Sequence, residues 1–243
     1  MPLPEIPELE GPAPWPLLCL DFTWSAHHSI IIDNVSDFTH AHLHRRYRPF
    51  SDAKLTRLEA SDARVSLSYD THVGGGRITG LFVDRTAVDT SAIDLCYDYP
   101  YQWSNTGGAI KHLLSVLPVD ERTTRAFFLF YFRSFKVPFA PITIPRRLAE
   151  PLLRAAGRLH IRPLLSQDGR ACSAEQEGYE RHSDAPLVEL NPAVDAFQRL
   201  TIRKWEEYLR GAGARGSRRG AGPVAPPRLP VVEGDAEPAA GGT

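Results

Sequence analysis

Residues 33–44 read Asp33-Asn34-Val35-Ser36-Asp37-Phe38-Thr39-His40-Ala41-His42-Leu43-His44 and hold three of the chain's nine histidines. What they can do depends on the local backbone. On a helix, His40 and His44 are four residues apart, so their imidazoles leave one face and can reach one ion, while His42 points elsewhere. On a strand, His40, His42 and His44 share a face. Ser36 or Asp37 can cap a helix start, and no β-branched run follows Thr39, so helix is the favoured reading. Two neutral imidazoles suit Fe, Zn, Cu or Ni. One added carboxylate makes a 2-His-1-carboxylate facial triad with open positions, the arrangement used by non-haem Fe(II) oxygenases. A strand-borne H-x-H-x-H set would instead suit zinc and an activated water.

Other chemistries find little support. Gly74-Gly75-Gly76 lacks a phosphate-binding pattern and a following helix. No G-x-S-x-G elbow occurs. Cys19, Cys96 and Cys172 are far apart and form no C-x-x-C or C-x-H pair, which argues against a disulfide scaffold, a Cys-based zinc site or an iron–sulfur cluster held by these residues. The 28 basic and 29 acidic residues give a net charge of -1, without the surplus a nucleic-acid binder shows. No apolar run is long enough for a membrane span, and Met1–Glu10 has no basic leader segment, so a cytoplasmic location is expected.

Composition and periodicity divide the rest of the chain. Residues 1–14 are Pro-rich and expected to be an extended arm. Residues 211–243, rich in Gly, Pro, Ala and Arg, are expected to be disordered, which leaves 15–210 as the folded domain. Strands are expected at 26–33, 64–70, 77–84, 91–99, 109–117 and 126–132, with 64–70 and 77–84 as a hairpin. Phe127 to Phe132 suit a core strand, some of whose rings line an apolar pocket. Helices are expected at 145–153, 168–179 and 192–209; the last is capped by Asn191, begun by Pro192 and stopped near Gly211. Strands first and a long amphipathic helix last give an α+β fold, an antiparallel sheet packed on a terminal helix.

The run Asn34-x-x-Asp37-x-x-His40-x-x-x-His44 resembles the iron-binding segment of Rieske non-haem iron oxygenases of the aromatic ring-hydroxylating and O-demethylating type. The resemblance implies His40 and His44 as ligands of a mononuclear Fe(II). It implies Asp37 on the electron route from a neighbouring subunit and Asn34 near the iron; His42 is expected not as a ligand but beside the ligand set or facing the substrate. Many members place four residues between the two histidines; this chain has three, a spacing the family also uses. Ser166-Gln167-Asp168, followed by Ala174-Glu175-Gln176-Glu177, resembles the family's C-terminal acidic segment. It implies Asp168 as the carboxylate ligand, with Glu175 next in line. The implied fold is a helix-grip (START-like) sheet wrapped on helix 192–209. The implied activity is hydroxylation, as a mono- or dioxygenase, or demethylation of an apolar, cyclic substrate, within a trimer. The family's [2Fe–2S] Rieske cluster needs C-x-H and C-x-x-H pairs absent from these residues, so a Rieske or ferredoxin electron donor is the implied partner. A zinc hydrolase or an apolar-ligand-binding module are the rival expectations.

Overall fold

The computed structural model describes residues 5–44, 47, 49–73, 91–133, 146–182 and 189–216. Seven strands form one antiparallel sheet: β1 (Leu17–Trp24), β2 (Phe50–Ala60), β3 (Arg64–Val73), β4 (Ser91–Asp98), β5 (Tyr101–Thr106), β6 (Ile110–Asp120) and β7 (Thr123–Phe132). Their order is β1-β7-β6-β5-β4-β3-β2, a meander from β2 to β7 with β1 added along β7. Side chains alternate faces along a strand. Val65, Leu67 and Tyr69 of β3, Ile93, Leu95 and Tyr97 of β4, and Ala126, Phe128 and Phe132 of β7 are buried on the face that carries the helices.

The helices are α1 (Pro7–Glu10), α2 (His28–Ser36), α3 (Arg146–Ala156), α4 (Arg162–Arg181) and α5 (Pro192–Gly216). A 3-10 helix, Phe38–His44, follows α2, and one π turn, Gly157–Ile161, joins α3 to α4. The core has two halves. Leu18, Leu20, Trp24, Leu114 and Phe128 pack with Leu153 of α3 and Leu165 and Cys172 of α4. Val65, Leu67, Tyr69, Leu95 and Tyr97 pack with Ala193, Phe197 and Leu200 of α5. The sheet thus grips α5 with one half and α3–α4 with the other, and the fold is α+β as expected. Among the described residues, no helix is long and apolar enough to cross a membrane.

Several elements differ from the sequence reading. The isoleucine run expected as a strand at 26–33 is the helix α2. Ile31 joins the first half-core and Ile32 the second, so neighbouring residues must bury in different directions, which a helix allows and a one-faced strand does not. The His27 ring accepts the Ser29 amide (3.4 Å) and fixes the start of α2. Strands β1, β2 and β5 were not anticipated. The partners of β3 are β2 and β4; the expected partner at 77–84 lies outside the described residues. Helix α4 begins at Arg162 and not at 168. Asn191 caps α5 through Oδ1, which accepts the Ala193 amide (3.0 Å), but α5 continues past Gly211 to Gly216. The arm contains the one-turn helix α1, whose Glu8 pairs with Lys111 of β6. Most of the expected tail, residues 217–243, lies outside the described residues.

Candidate metal centre

Two segments distant in sequence build the site. The 3-10 helix begins at Asp37, whose Oδ1 accepts the Thr39 amide (2.7 Å), the Thr39 hydroxyl (2.6 Å) and Asn191 Nδ2 (2.8 Å). Those bonds turn the chain and tie it to the start of α5. The segment then carries His40 and His44 on one side, with ring centroids 5.2 Å apart, and leaves His42 exposed. This backbone is helical, so the strand-borne set of three histidines does not form. His42, expected beside the ligand set, does not line the cavity described below.

Helix α4 supplies the acid. Asp168 Oδ1 lies 3.1 Å from His44 Nε2 and 3.7 Å from His40 Nε2. Ligand atoms of His40, His44 and Asp168 all fall within 4.8 Å of one another, and Glu175 does not join the group. Bonds of about 2 Å to a first-row metal, set at right angles, place ligand atoms about 3 Å apart. The observed spacing is close to that.

The donor chemistry fits a cation better than it fits an empty pocket. His44 Nδ1 is 3.0 Å from Gln167 Oε1, an acceptor, so Nδ1 carries the proton and a neutral His44 turns the lone pair of Nε2 toward Asp168. Two acceptors then face each other at 3.1 Å. Asp168 is 6% exposed, and its Oδ1 has no hydrogen-bond partner. An orphaned carboxylate oxygen opposite an imidazole lone pair is relieved by a metal ion or by a proton. Burial, together with the neighbouring His44, holds the His40 imidazole below its usual pKa against the pull of Asp168, which keeps it neutral and able to ligate. Burial also pushes His44 down, but the Asp168 charge and Gln167 outweigh it and its pKa is raised.

The approach of α4 to the sheet sets where Asp168 stands. A Cβ on Gly169 would sit 2.5 Å from Trp24 Nε1 and 2.7 Å from Trp24 Cε2. Only glycine lets α4 lie this close to β1. Sequence reasoning did not assign Gln167 or Gly169, although both flank Asp168; a glycine inside a helix beside a candidate ligand is the signal that was present.

The three side chains lie in the wall of a cavity of about 580 Å3. Trp24, Phe50, Phe128, Phe130 and Phe132 supply aromatic walls, and Ile93, Ile110 and Leu164 add aliphatic surface. Asn34 lines it as well. The anticipated pocket rings are Phe128, Phe130 and Phe132, on the inward side of β7, whereas Phe127 and Tyr131 are not among the lining residues. His112 stacks on Phe128 and Phe130 (centroids 5.5 and 4.6 Å). Its Nε2 has no partner, and burial pushes its pKa down to about 4. It alternates with Leu114 and Ile110 on β6, so period-2 counting could have put it inside.

A seven-stranded antiparallel sheet packed on a long helix, with a two-histidine, one-carboxylate group able to hold a metal ion in the wall of an apolar cavity, defines an α+β domain of the helix-grip type. Residues 24–212 match the family of vanillate O-demethylase oxygenase C-terminal domains, and the chain belongs to this C-terminal domain family of the Rieske oxygenases. It is 44% identical over 223 residues to the 4beta-methylsterol monooxygenase of Methylococcus capsulatus (strain Bath), covering 92% of this chain and 60% of that protein. The chain therefore spans less than two thirds of the length of that relative. The fold is similar to that of dicamba monooxygenase bound to dicamba, with a TM-score of 0.61 at 15% identity over 88% of this chain and 64% of that one. It is also similar to a quaternary ammonium Rieske monooxygenase associated with carnitine oxidation and inter-subunit electron transfer, with a TM-score of 0.52 at 12% identity over 78% of this chain and 50% of that one.

Proposed function

We propose that this chain is the substrate- and iron-holding portion of a Rieske-type monooxygenase that oxidises a methyl group on a sterol-sized, polycyclic apolar substrate. The observation that carries the reading is the convergence of His40, His44 and Asp168 on one wall of an apolar cavity. The 44% identity to a methylsterol monooxygenase over nearly all of this chain supports the substrate class. The volume, about 580 Å3, lies within the usual range of small-molecule sites, roughly 300–1,000 Å3.

His40, His44 and Asp168 would hold a ferrous ion, which supplies the activation of dioxygen. Gln167 keeps the His44 ring in the tautomer whose Nε2 can ligate. Trp24, Phe128, Phe130 and Phe132 exclude water and seat the rings of the substrate. His112 is neutral near pH 7 and offers its unpaired Nε2 to a hydroxyl at the polar end of the substrate. Asp37, three residues before His40 and bonded to Asn191, is assigned to the path by which a partner delivers electrons. That donor is a Rieske or ferredoxin protein or domain carrying a [2Fe–2S] cluster, and assembly as a trimer would bring a neighbour's cluster to Asp37.

Anaerobic loading with Fe(II) tests the assignment. The wild-type chain should retain about one iron per chain, and His40→Ala, His44→Ala and Asp168→Ala should each lose it. A 4-methylsterol should quench Trp24 fluorescence saturably and, with an electron-donor system, yield an oxidised methyl group detectable by mass spectrometry. Iron retained by Asp168→Ala would move the carboxylate ligand elsewhere.

A further inference from the structure

The sequence Arg146–Ala156 of α3 and the π turn after it carry more apolar surface than packing uses. Ala149, Leu153 and Gly157 are buried, and a Cβ on Gly157 would sit 2.7 Å from Leu18 Cδ1 of β1. That is the core-facing stripe. A second apolar line faces away: Leu148 is 61% exposed, Leu152 52% and Leu159 66%. Spacings of four and seven residues set them in one row along the helix. Exposed leucines scattered singly are ordinary; three in a row on one element mark an interaction surface.

Two further observations identify the partner. Arg154 and Arg158, one turn apart, are both exposed, and Arg162 is exposed one turn on. The row also ends in the cavity: Leu159 is one of its lining residues, followed by His160, Ile161 and Leu164. An element with an exposed row of leucines, several exposed arginines and an apolar cavity at its end matches the chemistry of a helix lying in a lipid–water boundary. Two copies of this chain apposed row to row would bring the same cations together, so the charge favours lipid phosphates.

We infer that α3 and the π turn dock on an anionic lipid bilayer. Leu148, Leu152 and Leu159 enter the acyl boundary, Arg154 and Arg158 meet phosphates, and a membrane-dissolved substrate passes along Leu159 into the cavity without crossing water. The inference rests on the apolar-substrate reading above, but its test uses neither substrate nor iron, so each can fail alone.

The experiment is co-sedimentation of the purified full chain with vesicles of phosphatidylethanolamine and phosphatidylglycerol, and with phosphatidylcholine alone. The wild type should pellet with the anionic vesicles and less with the neutral ones. The double variant Leu148→Glu/Leu152→Glu should partition about tenfold more weakly or less, and Arg154→Glu/Arg158→Glu should lose the preference for anionic lipid. Wild-type protein remaining in the supernatant overturns the inference, as does a leucine variant that pellets like the wild type. A leucine variant that dissociates from an oligomer in lipid-free solution, with vesicle binding unchanged, makes the row a contact between copies and overturns it too. Should the glutamates unfold α3, Leu152→Trp with brominated acyl chains gives the same reading: quenching supports the docking, and unquenched fluorescence refutes it.

Discussion

Replacing Gly169 by alanine tests whether the close approach of α4 to β1 is what places Asp168. In an exposed helix interior, Gly→Ala stabilises by about 1 kcal/mol, because alanine loses less backbone entropy. Here the added methyl would meet the Trp24 ring at 2.5–2.8 Å, where ordinary carbon contacts lie near 3.5 Å, so one partner must move by about 1 Å. The ring cannot give way easily: Trp24 is 6% exposed and packed against Phe22 and Phe128 at centroid distances of 5.6 and 5.5 Å. Overpacking of this kind costs roughly 1–3 kcal/mol. Set against the helix gain, the net loss is about 1 kcal/mol, or a fall in Tm of about 2–4 °C for a domain of this size. Asp168 moves with the helix. A ligand constellation tolerates about 0.5 Å of error, so Fe(II) affinity should fall at least tenfold. Gly178, on the same helix, is the internal control. Nothing lies within 4 Å of its Cβ position, and Gly178→Ala should raise stability by about 0.5–1 kcal/mol and leave iron unchanged. Calorimetry and iron analysis read both variants. A Gly169→Ala protein as stable as Gly178→Ala, with full iron, would refute the argument.

Three further outcomes are expected. Gln167→Leu removes the acceptor that fixes the His44 ring and should weaken Fe(II) binding about 10- to 100-fold, read by chelator competition, with the melting temperature nearly unchanged. Burial holds both His28 and His112 near a pKa of about 4, below the unfolded value of about 6.5, so the unfolded chain takes up more protons in that interval. Their contribution is full above about pH 6.5 and is lost as pH falls toward 4, by up to about 3 kcal/mol each; urea melts across this range should show the decline, and His112→Phe should make it shallower. Asp37→Asn keeps the amide and hydroxyl bonds to Thr39 within reach and should retain iron, while turnover driven by the electron donor falls steeply; full turnover would remove Asp37 from the electron path.

How far the chain could be read before its structure was known depended on whether a residue's role was local. The strands β3, β4, β6 and β7 alternate or run apolar over eight or more residues, and period-2 counting finds them. The cap of α5 is a contact between neighbours, Asn191 and Ala193, and it was legible. The isoleucines of α2 were misread because their strand propensity is weak beside the demand to bury Ile31 and Ile32 against two half-cores. The spacing of His40 and His44 was visible, and the helical reading already turned His42 away from them; that the segment is a 3-10 helix was not legible. The resemblance of residues 166–168 to a family segment brought in Asp168; no spacing rule could, because the acid is more than 120 residues from the histidines it faces.

The long-range ties explain why the centre can be built from short local segments at all. His44 meets Gln167 across 123 residues, and Asp37 meets Asn191 across 154. Gly169 rests on Trp24 from the other edge of the sheet. Each tie joins a different pair of elements: the 3-10 helix to α4, the 3-10 helix to α5, and α4 to β1. Because they join the histidine segment and Asp168 to separate elements, together they constrain the position of the segment relative to Asp168 and not merely one distance. A 3-10 helix of seven residues has little stability of its own. Its placement therefore follows from the sheet and the two long helices, which makes ligand geometry a property of the whole fold. On that ground, substitutions at the ties should change metal affinity more than they change melting temperature, whereas substitutions in the half-cores should do the reverse.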